Sequence, residues 1–134
     1  MVATARLERG RRAVESRAQL NTADLRLIWL LVEEGPRTMK EISEELGLEQ
    51  STVNRQANAA LKAGYLERAE QAGGGARTLT PTDEGYDLFA GDMRFVMAVL
   101  EEGLSAVPVA EAKRFMDNLV TFSEAYTRAA ERSS

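Results

Sequence analysis

The chain has 134 residues, of which 44% are hydrophobic and 28% are charged, and its formal net charge is −4. This length suits one domain with a core of its own. The absence of cysteine and histidine excludes disulfides, thiolate metal sites and Ser-His-Asp or Cys-His catalysis, so we expect no enzyme, no metal site and no cofactor.

Apolar residues occur only in short runs. The longest unbroken run is six residues, at positions 27–32. A membrane-spanning helix needs about 20 such residues, and the first residues contain no apolar block of the kind that a secretory signal requires. We therefore expect a cytoplasmic protein with no membrane partner.

The first 19 residues predict a helix that is rich in arginine. Five arginines against two glutamates give this segment a balance of +3, whereas residues 81–103 hold six acidic side chains against one arginine, a balance of −5. Acidic charge is thus concentrated in one part of the chain, and the net charge does not exclude a nucleic-acid partner. A stripe of small and apolar residues at helical spacing favours close helix packing: Ala3, Leu7, Gly10, Val14 and Ala18.

A second helix is predicted from Thr22, as its N-cap, to Gly35, because this stretch is apolar on most of its surface. Residues 38–64 then predict two short helices joined by a sharp turn. Thr38 and Glu41 have the spacing of a capping box. Gly47 can take the positive φ that ends the first of the two helices. Two helices so close together indicate a helix-turn-helix.

The second helix of this pair has a polar outer face. Its apolar residues follow a buried stripe: Val53, Ala57, Ala60 and Leu61. The outward side chains are Ser51, Thr52, Asn54, Arg55, Asn58 and Lys62, with no acidic residue among them. Such a helix fits the major groove, and its donors match base edges and phosphate oxygens. A generic pair of surface helices is the alternative interpretation.

A β-hairpin is predicted next, because β-prone runs at residues 65–67 and 77–80 flank a glycine cluster. Helix-turn-helix followed by a hairpin predicts a winged helix, with a fold that is mainly α and has a small β-hairpin wing. Gly73, Gly74 and Gly75 at the wing tip lose much backbone freedom on ordering, so we expect a mobile wing in the free protein.

Two runs beside the hairpin carry a family resemblance. LKAGYLER at residues 61–68 and PTDEG at residues 81–85 resemble motifs of the MarR family of bacterial regulators. The resemblance covers about residues 20–90 in motif and the whole chain in layout. It implies a winged helix-turn-helix transcriptional regulator, most often a repressor.

The wing tip departs from the family pattern. Family members carry an acidic residue followed by an arginine that reaches the minor groove, where this chain has the glycine cluster. Arg77 is the nearest substitute, and Arg68 lacks the acidic partner that a relative offers. We therefore expect residues 51–55 to read more of the DNA sequence than the family pattern suggests.

Two further helices are predicted, one capped by Thr82 and ending at Gly103, and one after Pro108. The terminal helices could pack within the chain or on a second copy, and the resemblance implies a homodimer. We expect a single domain, 1–134, with a winged helix-turn-helix DNA-binding region at 20–85 and a helical dimerisation region at 1–19 and 86–134. Two-fold symmetry implies a pseudo-palindromic site on double-stranded DNA.

The predicted DNA contacts fall into base-reading and phosphate-holding groups. Ser51, Thr52, Asn54 and Arg55 are expected to read bases, and Arg37, Lys40, Lys62, Arg68 and Arg77 mainly to hold phosphates. Thr38 and Asn58 complete the set.

The resemblance also implies a small aromatic acid or phenol as effector, bound between the winged domain and the dimer helices. Candidate lining residues are Trp29, Met93, Phe95 and Met97, although such residues at helical spacing are more commonly core.

Two other function classes remain open. A winged-helix module that binds protein rather than DNA is favoured by the acidic balance, the glycine wing and Glu49 at a helix entry, where Ser or Asp caps better. An enzyme could use only paired carboxylates such as residues 33–34. Neighbours in a helix point about 100° apart, so solvated faces explain these pairs better.

Overall fold

The computed structural model describes residues 1–69 and 75–133. Within these residues, four helices precede a two-stranded antiparallel hairpin and two helices follow it, which confirms the predicted fold class. The elements are α1 Val2–Arg17, α2 Thr22–Glu34, α3 Met39–Leu46, α4 Gln50–Ala63, β1 Leu66–Ala69, β2 Thr78–Pro81, α5 Asp83–Leu104 and α6 Val109–Arg132. In this part of the chain, no helix combines the length and the apolar character needed to cross a membrane.

The chain divides into two compact units, Met1–Val96 and Met97–Ser134. The first unit contains the buried core, to which α2, α3, α4, both strands and α5 contribute side chains. Its most deeply buried large side chains are Leu27, Ile28, Ile42, Leu79 and Val53. A core shared by the helix-turn-helix and the hairpin fixes the wing base relative to α4.

The start of α2 differs from the sequence prediction. Asn21, not Thr22, is the N-cap, and its side chain accepts a hydrogen bond from the backbone N–H of Asp24. The prediction of a Thr22 cap is therefore wrong by one residue, because the Asn-Thr pair offers two adjacent capping side chains and asparagine caps at least as well. Gly35 ends α2 with a φ of 83°, as the sequence indicates.

The turn between α3 and α4 has the predicted ends and one additional contact. The Thr38–Glu41 capping box is present, and Gly47 is left-handed with a φ of 65°. Ser43 reinforces the turn, because its hydroxyl donates to the Leu48 carbonyl at 2.6 Å. The α3 helix is therefore fixed at both ends by local hydrogen bonds.

The hairpin is joined to the helical core by a backbone bridge. Leu79 N donates to Arg37 O at 2.8 Å, and Arg37 N donates to Leu79 O at 3.3 Å. In the hairpin, Leu66 pairs with Pro81 and Ala69 pairs with Thr78. Arg37, between α2 and α3, thus forms an isolated β-bridge with β2, which the sequence does not predict.

Thr82 links the end of α4 to the start of α5. Its hydroxyl donates to the Gly64 carbonyl at 2.6 Å and accepts from the Gly85 N–H at 3.0 Å, which confirms the predicted cap. The Thr82 N–H also donates to the Tyr65 carbonyl at 3.0 Å. Helix α5 extends one residue beyond Gly103, where the sequence predicts its end.

A buried aspartate holds the connection between α1 and α2. Asp92, on α5, is only 4% exposed. Its Oδ1 accepts from the Gln19 N–H and its Oδ2 from the Leu20 N–H, both at 2.9 Å. Both carboxylate oxygens are therefore satisfied, as a buried charge requires.

The second unit contains the end of α5 and the whole of α6. No residue of α6 is buried. Five of its large apolar side chains are exposed: Val109, Phe115, Val120, Phe122 and Tyr126. The rings of Phe122 and Tyr126 lie 5.8 Å apart.

Candidate nucleic-acid interface

The outer face of α4 is polar, basic and accessible. Ser51, Arg55, Asn58 and Lys62 are exposed, and Thr52 and Asn54 are half-buried. Val53, Ala57 and Ala60 on the opposite face are buried, as their spacing predicts, and Leu61 is partly buried. Because α4 contains neither aspartate nor glutamate, its surface presents hydrogen-bond donors without a competing carboxylate of its own.

The first turn of α4 has no side-chain cap. Glu49 occupies the N-cap position and makes no capping hydrogen bond. The first backbone N–H groups of a helix have no partner within the helix, and they attract anions such as phosphate. Because Glu49 does not cap α4, the backbone N–H groups of the first turn stay available as donors. This N-terminal end is the one that a groove-binding helix presents to DNA.

Asn54 carries an unsatisfied acceptor on the same helix. Its Oδ1 is buried and has no hydrogen-bond partner among the described residues. An unpaired buried acceptor costs about 1–3 kcal/mol. Unpaired buried groups of this kind occur at functional sites, where a bound ligand supplies the hydrogen-bond partner or a side-chain movement exposes the group to solvent.

Arg68 and Asn58 meet at the junction of wing and helix. Arg68 Nη2, from β1, donates to Asn58 Oδ1, from α4, at 3.4 Å. Both residues are exposed. The sequence predicts both as DNA contacts but does not predict that they touch, because a pair ten positions apart across a turn leaves no periodic signal.

Arg37 lies among carboxylates rather than on open surface. Its guanidinium is within 4.0 Å of Glu34, Glu41 and Glu45, and its Nε donates to Glu45 Oε1 at 3.1 Å. Its side chain is only 24% exposed. A phosphate would have to compete with three carboxylates for this group, so its predicted phosphate contact stays a prediction.

Thr38 is engaged in the capping box. Its hydroxyl accepts from the Glu41 N–H, and its own N–H donates to Glu41 Oε1 at 3.1 Å. This hydrogen bond from the Thr38 backbone lowers the pKa of the Glu41 carboxyl, and the Thr38 hydroxyl and the nearby Arg37 charge lower it further. The predicted DNA contact of Thr38 stays a prediction.

Two further predicted phosphate contacts are exposed, one on α3 and one in the wing. Lys40 on α3 and Arg77 before β2 are exposed, as DNA contacts must be. Gly75 is also exposed. Gly73 and Gly74, on which the expectation of a mobile tip rests, lie outside the described residues.

The four candidate ligand residues differ in burial. Trp29 is 49% exposed and its indole N–H donates to Glu33 Oε1 at 3.4 Å, so it is not a core residue. Met93 packs against the core, whereas Met97 is 45% exposed. Phe95 is half-buried, and the Arg17 guanidinium lies 5.0 Å from the centre of its ring. Their predicted role as one cavity lining stays a prediction.

A helix-turn-helix whose second helix has a polar and basic outer face, followed by a hairpin on the same core, defines a winged helix-turn-helix protein. Residues 18–77 match the model of the MarR family. The resemblance to the MarR family that the sequence indicates is thus confirmed over residues 18–77. A search of curated proteins finds no match.

Solved structures share the fold over most of the chain. A MarR family protein from Bacillus stearothermophilus has a TM-score of 0.80 at 17% identity, covering 94% of this chain and 89% of that one. The PcaV transcriptional regulator from Streptomyces coelicolor, in complex with its natural ligand, has a TM-score of 0.69 at 19% identity, covering 92% and 91%. Streptococcus pneumoniae FabT, in complex with DNA, has a TM-score of 0.70 at 19% identity, covering 83% and 78%. The chain has the fold of MarR family transcriptional regulators.

Proposed function

We propose that this protein is a sequence-specific DNA-binding transcriptional regulator, and specifically a repressor, that acts in the cytoplasm. The observation that carries the proposal is the outer face of α4, which offers exposed hydroxyl, amide and cationic groups and no carboxylate. Base edges in the major groove and phosphate oxygens accept hydrogen bonds from these groups. The shared fold with FabT, which was solved in complex with DNA, supports the proposal.

The first two turns of α4 are proposed to read bases. Ser51, Thr52, Asn54 and Arg55 lie at the helix end that enters the groove in helix-turn-helix proteins. Arg55 is exposed and has no ion-pair partner within residues 1–69 and 75–133, so its guanidinium can make a bidentate contact with guanine. The proposed phosphate contacts surround this face: Lys40, Lys62, Arg77 and, if it leaves its carboxylates, Arg37.

A homodimer is proposed because α1 and α6 present apolar side chains to solvent. No residue of either helix is buried. Large apolar side chains exposed together on one helix mark an interaction surface. With two-fold symmetry, two α4 helices would lie about 34 Å apart and read a pseudo-palindromic site.

A small aromatic acid or phenol is proposed as the effector. PcaV, which has the same fold, was solved in complex with its natural ligand. The half-exposed indole of Trp29 offers an apolar ring face on which an aromatic ligand can stack. Met93, Phe95 and Met97 complete the proposed lining.

A salt-titrated gel shift tests the DNA-binding function. Purified protein is mixed with the DNA upstream of its own gene, with and without candidate phenolic acids. We expect a shifted band that weakens steeply with salt, because each neutralised phosphate contributes roughly 0.9 to the slope of log affinity against log salt. The absence of a salt-sensitive shift at low ionic strength would favour the competing function, a winged-helix module that binds protein.

Arg55→Ala separates sequence reading from phosphate binding. We expect it to weaken binding to the specific site by about 1–3 kcal/mol and to leave random DNA much less affected. Arg77→Ala should weaken binding to the specific site and to random DNA alike. Arg26→Ala, which removes an exposed positive charge from α2, is the matched control. Equal losses on specific and random DNA from Arg55→Ala would remove Arg55 from the base-reading group.

A further inference from the structure

The contact between Arg68 and Asn58 joins the wing to the helix that is proposed to read DNA. Arg68 Nη2 donates to Asn58 Oδ1 at 3.4 Å. In the family pattern this arginine has an acidic partner at the wing tip, where this chain has glycine. Its partner in this structure is instead an uncharged amide on the DNA-facing surface of α4.

Both side chains project from fixed backbone. Arg68 pairs across the hairpin with Leu79, which is buried and is bonded to Arg37 on its other side. Asn58 follows Ala57, which is buried against the core. A hydrogen bond between two such anchored groups restricts the rotamers of both side chains.

The hydrogen bond also selects which end of the Asn58 amide faces an incoming molecule. An asparagine side chain has one acceptor oxygen and two N–H donors on Nδ2. Arg68 occupies the oxygen, and the N–H groups remain to meet an acceptor. Guanine N7 and O6, thymine O4 and phosphate oxygens are all acceptors, so the free N–H groups of Asn58 Nδ2 can donate hydrogen bonds to DNA.

We propose that Arg68 is a positioning residue for Asn58: it holds the amide so that Nδ2 donates to DNA. This inference rests on the proposed function. It differs from a plain phosphate contact in one measurable respect, because a phosphate contact contributes to affinity whether or not Asn58 is present. A positioning residue contributes only through the residue that it positions.

A double-mutant cycle tests the proposal. DNA affinities are measured for wild type, Arg68→Ala, Asn58→Ala and the double variant, on a fragment selected from a random pool by the wild-type protein. We expect each single variant to lose about tenfold in affinity and the double variant also about tenfold. Independent contacts would instead give about 100-fold in the double variant, and that result would overturn the proposal.

Lys40→Ala is the matched control, because Lys40 is an exposed, predicted phosphate contact on a different helix. The loss of binding free energy from Lys40→Ala should add to the loss from Asn58→Ala. In the free protein, Arg68→Ala should shift the NMR signals of the Asn58 side-chain amide, and Lys40→Ala should not. Unchanged Asn58 signals would overturn the positioning role even if DNA binds. Failure of the wild-type protein to select any DNA would refute the proposed function itself and, with it, this inference.

Discussion

Replacing Gly85 by alanine tests the close approach between the start of α5 and the backbone of Tyr65. A Cβ at position 85 would lie 2.1 Å from the Tyr65 carbonyl oxygen and 2.9 Å from its carbonyl carbon. Ordinary van der Waals contact begins at 3.4 Å, so the two backbone segments would have to separate by more than 1 Å. The glycine of the PTDEG motif is therefore explained by space and not by an unusual φ.

The expected cost combines strain with lost hydrogen bonds. Forcing an extra carbon into a packed site costs about 1–3 kcal/mol. The same separation stretches the bond from Thr82 N to the Tyr65 carbonyl, 3.0 Å long, and strains the Thr82 hydroxyl bond to Gly64, each contributing about 1 kcal/mol. Alanine regains about 1 kcal/mol of helix propensity. We expect a net loss of about 2–4 kcal/mol in the free energy of unfolding.

Urea unfolding followed by circular dichroism measures this loss, with Gly91→Ala as the matched control. Gly91 lies in the same helix, and a Cβ there would meet only Arg94 Nη2, at an ordinary 3.7 Å. We expect this variant to be neutral or slightly more stable than wild type. If the two variants differ by less than about 0.5 kcal/mol, the close approach at Gly85 does not limit stability and the reasoning is refuted.

Two further changes test the buried carboxylate and the capping box. Asp92→Asn should lower the free energy of unfolding by about 1–3 kcal/mol, because one of two backbone N–H groups then faces an amide that cannot accept; an unchanged urea midpoint would contradict this role. For Glu41, the hydrogen bond from the Thr38 N–H lowers the folded pKa, so the carboxylate contributes stability above its unfolded pKa and loses it as pH falls through the folded value. The stability difference between wild type and Glu41→Gln should therefore shrink on acidification from about pH 6 to about pH 3, and a difference that does not change over this range would contradict it.

Local features of the fold could be predicted because they depend on residues close in sequence. The capping box needs only Thr38 and Glu41 at the correct spacing, and the left-handed turn needs only Gly47. The polar face of α4 follows from helical periodicity in the same way. Thr22 shows the limit of this reasoning, because the neighbouring Asn21, which caps at least as well, places the N-cap one residue earlier.

Contacts between distant segments could not be predicted from the same signals. The bridge between Arg37 and Leu79 uses backbone atoms only, so it has no side-chain signature. The hydrogen bonds of Asp92 reach back more than 70 positions. A signal did exist there: Asp92 interrupts the apolar positions around Phe89 and Met93, and a charge on such a face indicates a buried partner.

The single hydroxyl of Thr82 has a mechanical consequence. It bonds at once to the carbonyl of Gly64, at the end of α4, and to the N–H of Gly85, in the first turn of α5. Tilting the first turn of α5 must therefore either carry the end of α4 with it or break hydrogen bonds worth about 1–3 kcal/mol together. One small side chain thus couples the orientation of the first turn of α5 to that of the end of α4.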